Sequence, residues 1–479
     1  MADAAIDLPS LDRDVRRAAQ RLEQLRQWLA LGTTEAREKA RSFDPFDGVR
    51  HAAVKGTYEA LGTQTPSLLD VPLRDGLRRW VHELLQARVG GDLVLTDADE
   101  ENELDPRLSA SQLAELKAQE LARVAVGPGE PPSSKDTTSH VAHTYRAAFR
   151  AIVSSPSAGL AAAALTRAGE LSLRVAAVRK ERRERRFEAA RRLGLAHPSA
   201  LASSLDVRAL AIELLDATEP LSVALLKRAR KDADGPWRAS SAIQLALGHG
   251  AQQGWPAHLG QRWLDEAFVA IAPRGVEIGP LPEPLGSATF LRAATTWGFA
   301  LRTSGTPRSL PFALARDPYP VPAHRFGYAI ASVVAEPAFQ RRALDLPART
   351  ATAQARVLRT TMFLHARTAA ARVVLSADET SSASTFEEMT SRVFGAPLPA
   401  SMRDAWPDPR PGEPAQLLGL LSTQAFLRDL VHRYDEDWFR NPKAGKHLTS
   451  LACGPAFDLE PLSRTAGPDL ARAFEEAIG

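Results

Sequence analysis

The sequence predicts an all-α protein, on three observations. Apolar residues recur every three or four positions along most of the chain. Ala, Leu, Arg and Glu, the strong helix formers, are abundant throughout. Only one short segment, Gly90–Leu95, reads as a strand, so the architecture is a large multi-helix body with at most a short β-ribbon.

The first element is the plainest. Ser10 is a good N-cap, Leu11, Val15, Ala18, Leu22, Leu25 and Leu29 form one apolar stripe, and Gly32 closes the helix. Further helices are predicted at 34–42, 48–61, 72–88 and 109–124. The run Gly127–Ser134, rich in Gly, Pro and Ser, marks the best internal boundary. It divides an N-terminal helical region, 1–126, from a helical body, 138–479, with a linker at 127–137. In the body, helices are predicted at 138–153, 157–193, 198–216, 219–231, 238–248, 260–271 and 287–303. They resume at 323–334, 347–376, 384–394, 415–434 and 467–477. The Pro- and Gly-rich stretches 272–284 and 306–322 read as ordered connections, and Pro347 suits the first turn of the longest late helix. No repeat of fixed period argues for a solenoid.

Composition narrows the function classes. With 60 basic and 57 acidic residues the net charge is +3, which argues against a nucleic-acid partner outside a local patch. The single Cys453 excludes an intramolecular disulfide framework and a cysteine zinc knuckle. The uncharged stretches, 151–166 and 239–261, are too broken by Ser, Pro, Gly and Gln to span a membrane. The amino terminus has neither a basic start nor an apolar core, so a cytoplasmic protein is expected.

The chemistry-bearing residues centre on His365, in the middle of the helix predicted at 347–376. A zinc peptidase helix carries two histidines four residues apart, a glutamate beside the first, and commonly a carboxylate from a following helix. Here only His365 and a downstream candidate, Glu387 or Glu388, are present. Read on its own, one imidazole is a semi-buried histidine bonded to a neighbouring acceptor.

The segment Phe187–Leu201, and the order of His365, Phe386, Glu387, Glu388 and then Tyr434–Gly445, resemble helical zinc peptidases of the thimet oligopeptidase and oligoendopeptidase type over about residues 140–455. The resemblance implies that His365 matches the first zinc histidine. It puts Ala366 at the general-base glutamate, Ala369 at the second histidine and Glu387 or Glu388 at the third ligand. Two methyl side chains can neither take a proton from water nor bind a metal. The resemblance therefore implies an inactive relative, without metal or other cofactor, that binds a peptide or protein partner or acts as a scaffold. His432 and Tyr434 are then vestiges of a substrate-binding cleft; on structural grounds, the cluster around Trp438 and Phe439 anchors a helix end before Asn441 and Pro442.

Two other readings stand beside this one. An active metallohydrolase would need atypical ligands, with His324, His432 or His447 joining His365. An interaction module would use the basic run 179–192, with Arg182, Arg183, Arg185 and Arg186 contacting phosphates or an acidic partner. The bland account of that run is a solvated helix with internal ion pairs such as Glu181–Arg185. His140 and His143 read as a surface or capping pair. The acidic run Asp97–Asp105 has Asn102 and Leu108 where a calcium loop needs Gly and Glu, and is read as a solvated loop.

Overall fold

The computed structural model describes residues 6–31, 34–64, 67, 70–89, 145–155, 157–195, 197, 206–233, 235–246, 261–278, 287–379, 382–407, 412–457, 462 and 465–478. The strand expected at 90–95, the helix at 109–124, the acidic run, the linker, His140 and His143 lie outside these residues. Among the described residues there are nineteen α-helices and no strand. None of these helices is long and apolar enough to cross a membrane.

Four helices build the N-terminal part: α1 (Leu8–Leu31), α2 (Thr34–Arg41), α3 (Lys55–Thr63) and α4 (Val71–Val89). Helix α1 starts two residues before the expected Ser10 cap, because Pro9 fits a first turn whose N–H groups are unpaired anyway. The helix expected at 48–61 is split: a 3₁₀ turn, Arg50–Ala53, ends at extended Val54 before α3 begins. Leu11, Val15, Ala18, Leu22 and Leu25 are buried as their spacing predicts, in a core shared with Leu77, Val81 and Leu84 of α4.

The remaining helices pack around a second core, except Phe312–Ala315, whose Ala313 is buried in the first. In order they are α5 (Tyr145–Ser154), α6 (Ala158–Arg192), α7 (Val207–Ala217), α8 (Glu219–Lys231), α9 (Ala239–Ala246), α10 (Gln261–Ala267), α11 (Ser287–Ser304), α12 (Phe312–Ala315), α13 (Val321–Val334), α14 (Pro337–Ala343), α15 (Ala348–Ser376), α16 (Ala383–Phe394), α17 (Gly412–Tyr434), α18 (Pro442–Ala452) and α19 (Ala466–Ile478). Helices α12 and α14 occupy stretches where no helix was expected. Pro347 sits one residue outside α15, extended, rather than in its first turn.

Helix α13 lies deepest. It crosses α11 where two glycines meet: a methyl on Gly298 would lie 2.6 Å from the Phe326 carbonyl oxygen, and one on Gly327 would lie 2.6 Å from that of Thr295. Only residues without Cβ allow backbones this close. On its other side α13 meets α17, where Gly419 faces His324.

The two cores are joined by polar contacts rather than by one apolar seam. Asp12 accepts hydrogen bonds from the backbone N–H groups of Phe312 (2.9 Å) and Ala313 (2.8 Å) at the start of α12. Arg79 grips Asp317 through two bonds of 2.9 and 2.8 Å. Beside them His82 Nδ1 lies 2.5 Å from the Tyr319 hydroxyl, and its Nε2 lies 2.9 Å from Gln86 Nε2. The connection 306–322 is thus ordered, as its Pro content suggested, and it carries the joint.

Candidate functional site

Helix α15 is buried almost all round, which requires residues small and apolar enough to meet neighbours on every side. Phe363, Leu364, Ala366, Ala370 and Ala371 supply this around position 365. His365 itself is the one exposed residue between Gln354 and Ala377. Thr368 and Arg372, three and seven positions on, share its face and are partly exposed. Protein mass nonetheless surrounds the His365 ring closely: burial lowers its pKa, and the Arg372 guanidinium lowers it further. The ring is therefore reached by solvent on one side while protein encloses the rest of it.

Two neighbouring helices, α13 and α17, meet this face of α15. From α13, Tyr328 places its hydroxyl 3.2 Å from His365 Nε2, and among the described residues the imidazole makes no other hydrogen bond. Burial raises the Tyr328 pKa, so phenol and imidazole are both uncharged at neutral pH. One turn before Tyr328, on the same face, His324 packs against Phe299 at 5.0 Å between ring centroids. Its pKa is lowered by burial to about 4. Helix α17 contributes Glu413, which pairs with Arg372 at 2.7 Å. The Arg372 guanidinium also lies over the Trp406 ring, 5.6 Å from its centroid.

The residues matched to zinc ligands do not gather there. Ala366 and Ala369 are buried, and their methyl groups fill space in the helix packing. On α16, Phe386, Thr390 and Val393 face the core, so the helical period turns Glu387 and Glu388 into solvent. Glu413 and His432 stand nineteen residues apart on α17, about 28 Å at 1.5 Å per residue, so His432 and Tyr434 are far from the Arg372–Glu413 pair. Tyr434 instead packs its ring 5.9 Å from that of His447 on α18. Trp438 and Phe439 are buried, and Phe439 packs 5.6 Å from Phe339. Among the described residues no three His, Cys, Asp or Glu side chains converge as a metal site would require. Zinc does not fit the residues around His365.

The basic run occupies the last turns of α6, and its charges are largely engaged. Arg183 is buried and ion-paired with Asp404. Arg185 pairs with Glu181, Arg192 with Glu188, and Arg191 with Glu379 at 2.8 Å. Arg186 is partly buried near Tyr319, and the Arg182 side chain lies outside the described atoms. Among the described side chains of the run, most of the positive charge is paired or partly buried.

Sequence reasoning missed Arg367, two residues beyond His365. Its side chain is fully buried. One terminal nitrogen donates to the Leu215 carbonyl (2.9 Å) and the Thr218 hydroxyl (2.6 Å). The other donates to the Glu219 carboxylate (2.7 Å) and the Arg392 carbonyl (2.9 Å). It ties α15 to the α7–α8 corner and to the end of α16, and so fixes the helix that carries His365. The available signal was an arginine set among Phe363, Leu364, Ala366 and Ala369–Ala371, where no polar stripe exists to hold it.

No protein-family model matches this chain, and no curated protein matches it either.

Proposed function

We propose that this protein is a non-hydrolytic relative of the helical zinc oligopeptidases, and that it holds an extended peptide or a segment of a protein partner in a recess at His365. The observation that carries the reading is the state of the motif positions. His365 is accessible and bonded to Tyr328, whereas positions 366 and 369 are methyl groups in the packing and Glu387 and Glu388 point into solvent. An accessible imidazole remains, without a general base or ligand set for water attack. The single cysteine accords with a cytoplasmic setting for such a protein.

Elemental analysis combined with a peptide-library assay tests this reading. The purified protein is expected to carry zinc well below one equivalent and to cleave no peptide, while retaining peptides from the library. Stoichiometric zinc that is lost together with hydrolytic activity on chelation would overturn the proposal.

A further inference from the structure

We propose that the exposed face of α8 docks an extended, acidic segment of a partner protein, one that presents an apolar side chain and then carboxylates at alternate positions. The surface is separate from His365 and stands independently of the function proposed above.

Helix α8 is fixed on its inner side, where Ser222 and Leu226 are buried and Glu219 pairs with Arg367 and Arg392. Its outer side is divided. Val223 and Ala224 are exposed in the first half, and Lys227, Arg228, Arg230 and Lys231 are exposed in the second. Arg230 donates to the Gly395 carbonyl. Among the described residues no carboxylate pairs with Lys227, Arg228, Lys231 or with Arg238, which follows the helix. Residues 227–238 hold five cations and two acids; Asp232 closes the helix, and Asp234 lies outside the described residues. The basic run of α6 is the contrast, since Arg183, Arg185, Arg191 and Arg192 each meet a carboxylate. Cations in a last turn complement the carbonyl end of a helix, but Lys227 precedes that turn and Arg238 lies beyond it.

Spacing and charge together identify the partner. Val223, Lys227 and Lys231 stand at four-residue intervals on one face, about 6 Å apart along the axis. Side chains on one face of an extended chain recur at about 6.6 Å. An extended segment laid along α8 therefore sets an apolar side chain on Val223, which is 56% exposed, and carboxylates on the two lysines. Arg228, three residues before Lys231, borders the same row. A nucleic-acid backbone would match the lysines but set a phosphate against Val223, where no cation answers it. A protein segment uses both halves.

The test is fluorescence anisotropy on the full-length protein with a labelled Gly-Leu-Ser-Glu-Ser-Glu-Gly peptide, its leucine-to-serine analogue and a labelled DNA duplex. The leucine peptide is expected to bind, and to weaken as salt rises from about 0.01 to about 0.15 M. Lys227→Glu combined with Lys231→Glu is expected to reduce its affinity at least about tenfold, because like charges then face each other. Lys443→Glu combined with Lys446→Glu, an equal change of charge at exposed positions of α18, should leave the affinity unchanged. Absence of binding, or equal loss in the two double variants, would refute the proposal. So would a serine analogue that binds as well as the leucine peptide, or a duplex that binds more tightly than either.

Discussion

Replacing Arg367 with alanine is expected to destabilise the protein by about 3–5 kcal/mol, from the void left by a fully buried side chain and the acceptors stripped of their donor. The side chain is wholly enclosed and makes hydrogen bonds to Leu215, Thr218, Glu219 and Arg392. Its loss leaves two carbonyl oxygens short of a donor, the Glu219 carboxylate still linked to Arg392, and a void between α15 and the α7–α8 corner. Arg367→Lys should recover little of this, since an ammonium cannot reproduce the planar fork that reaches four acceptors. Urea unfolding at neutral pH reads the difference. Arg191→Ala provides the contrast: its pair with Glu379 is largely exposed, and a change below about 1 kcal/mol is expected. Equal effects from Arg367→Ala and Arg191→Ala would show that the buried node does not hold the helix.

Acid should weaken the fold well before the carboxylates titrate. His82 is completely buried between the two cores, and burial, followed by the neighbouring Arg79 and Arg78, lowers its pKa from 6.5 to about 3. The unfolded chain therefore binds a proton at this site below about pH 6.5 that the folded protein refuses. Stability is at its full value above that pH, and this one group removes about 1 kcal/mol per pH unit down to about pH 3. His324, His197 and His365 are shifted the same way, chiefly by burial, and steepen the slope. Carboxylates held low, such as Asp469 under its hydrogen bond from Arg428, add their loss only below the ordinary aspartate range. Unfolding free energies at pH 7, 6 and 5 measure the slope, and His82→Gln should flatten it by about 1 kcal/mol per unit. An unchanged slope in that variant would mean that His82 is protonated in the native state.

Much of the helical architecture was legible because it is local. A stripe such as Leu11, Val15, Ala18, Leu22 and Leu25 announces both a helix and its buried face, and the bounds of α15 were readable to within about a residue. What joins the helices was not legible. Tyr319 meets His82 across 237 positions, and Tyr328 meets His365 across 37, from a helix with no periodicity in common. Helix α15 also lacks the polar face by which a helix ordinarily reveals its orientation, because neighbours enclose it on nearly every side. Its one accessible ring therefore looked the same in sequence as a core histidine. The motif reading centred on position 365, whose hydrogen-bond partner comes from α13 rather than from Glu387 or Glu388.

Carbethoxylation of histidines by diethylpyrocarbonate at pH 7, followed residue by residue with mass spectrometry, tests the recess most directly. The reagent attacks unprotonated, reachable imidazole. His365 should react more slowly than exposed His432 but far faster than sealed His82, and a saturating peptide should slow it selectively. Protection of His365 equal to that of His82 in the ligand-free protein would contradict an open recess and remove the basis for a binding site there.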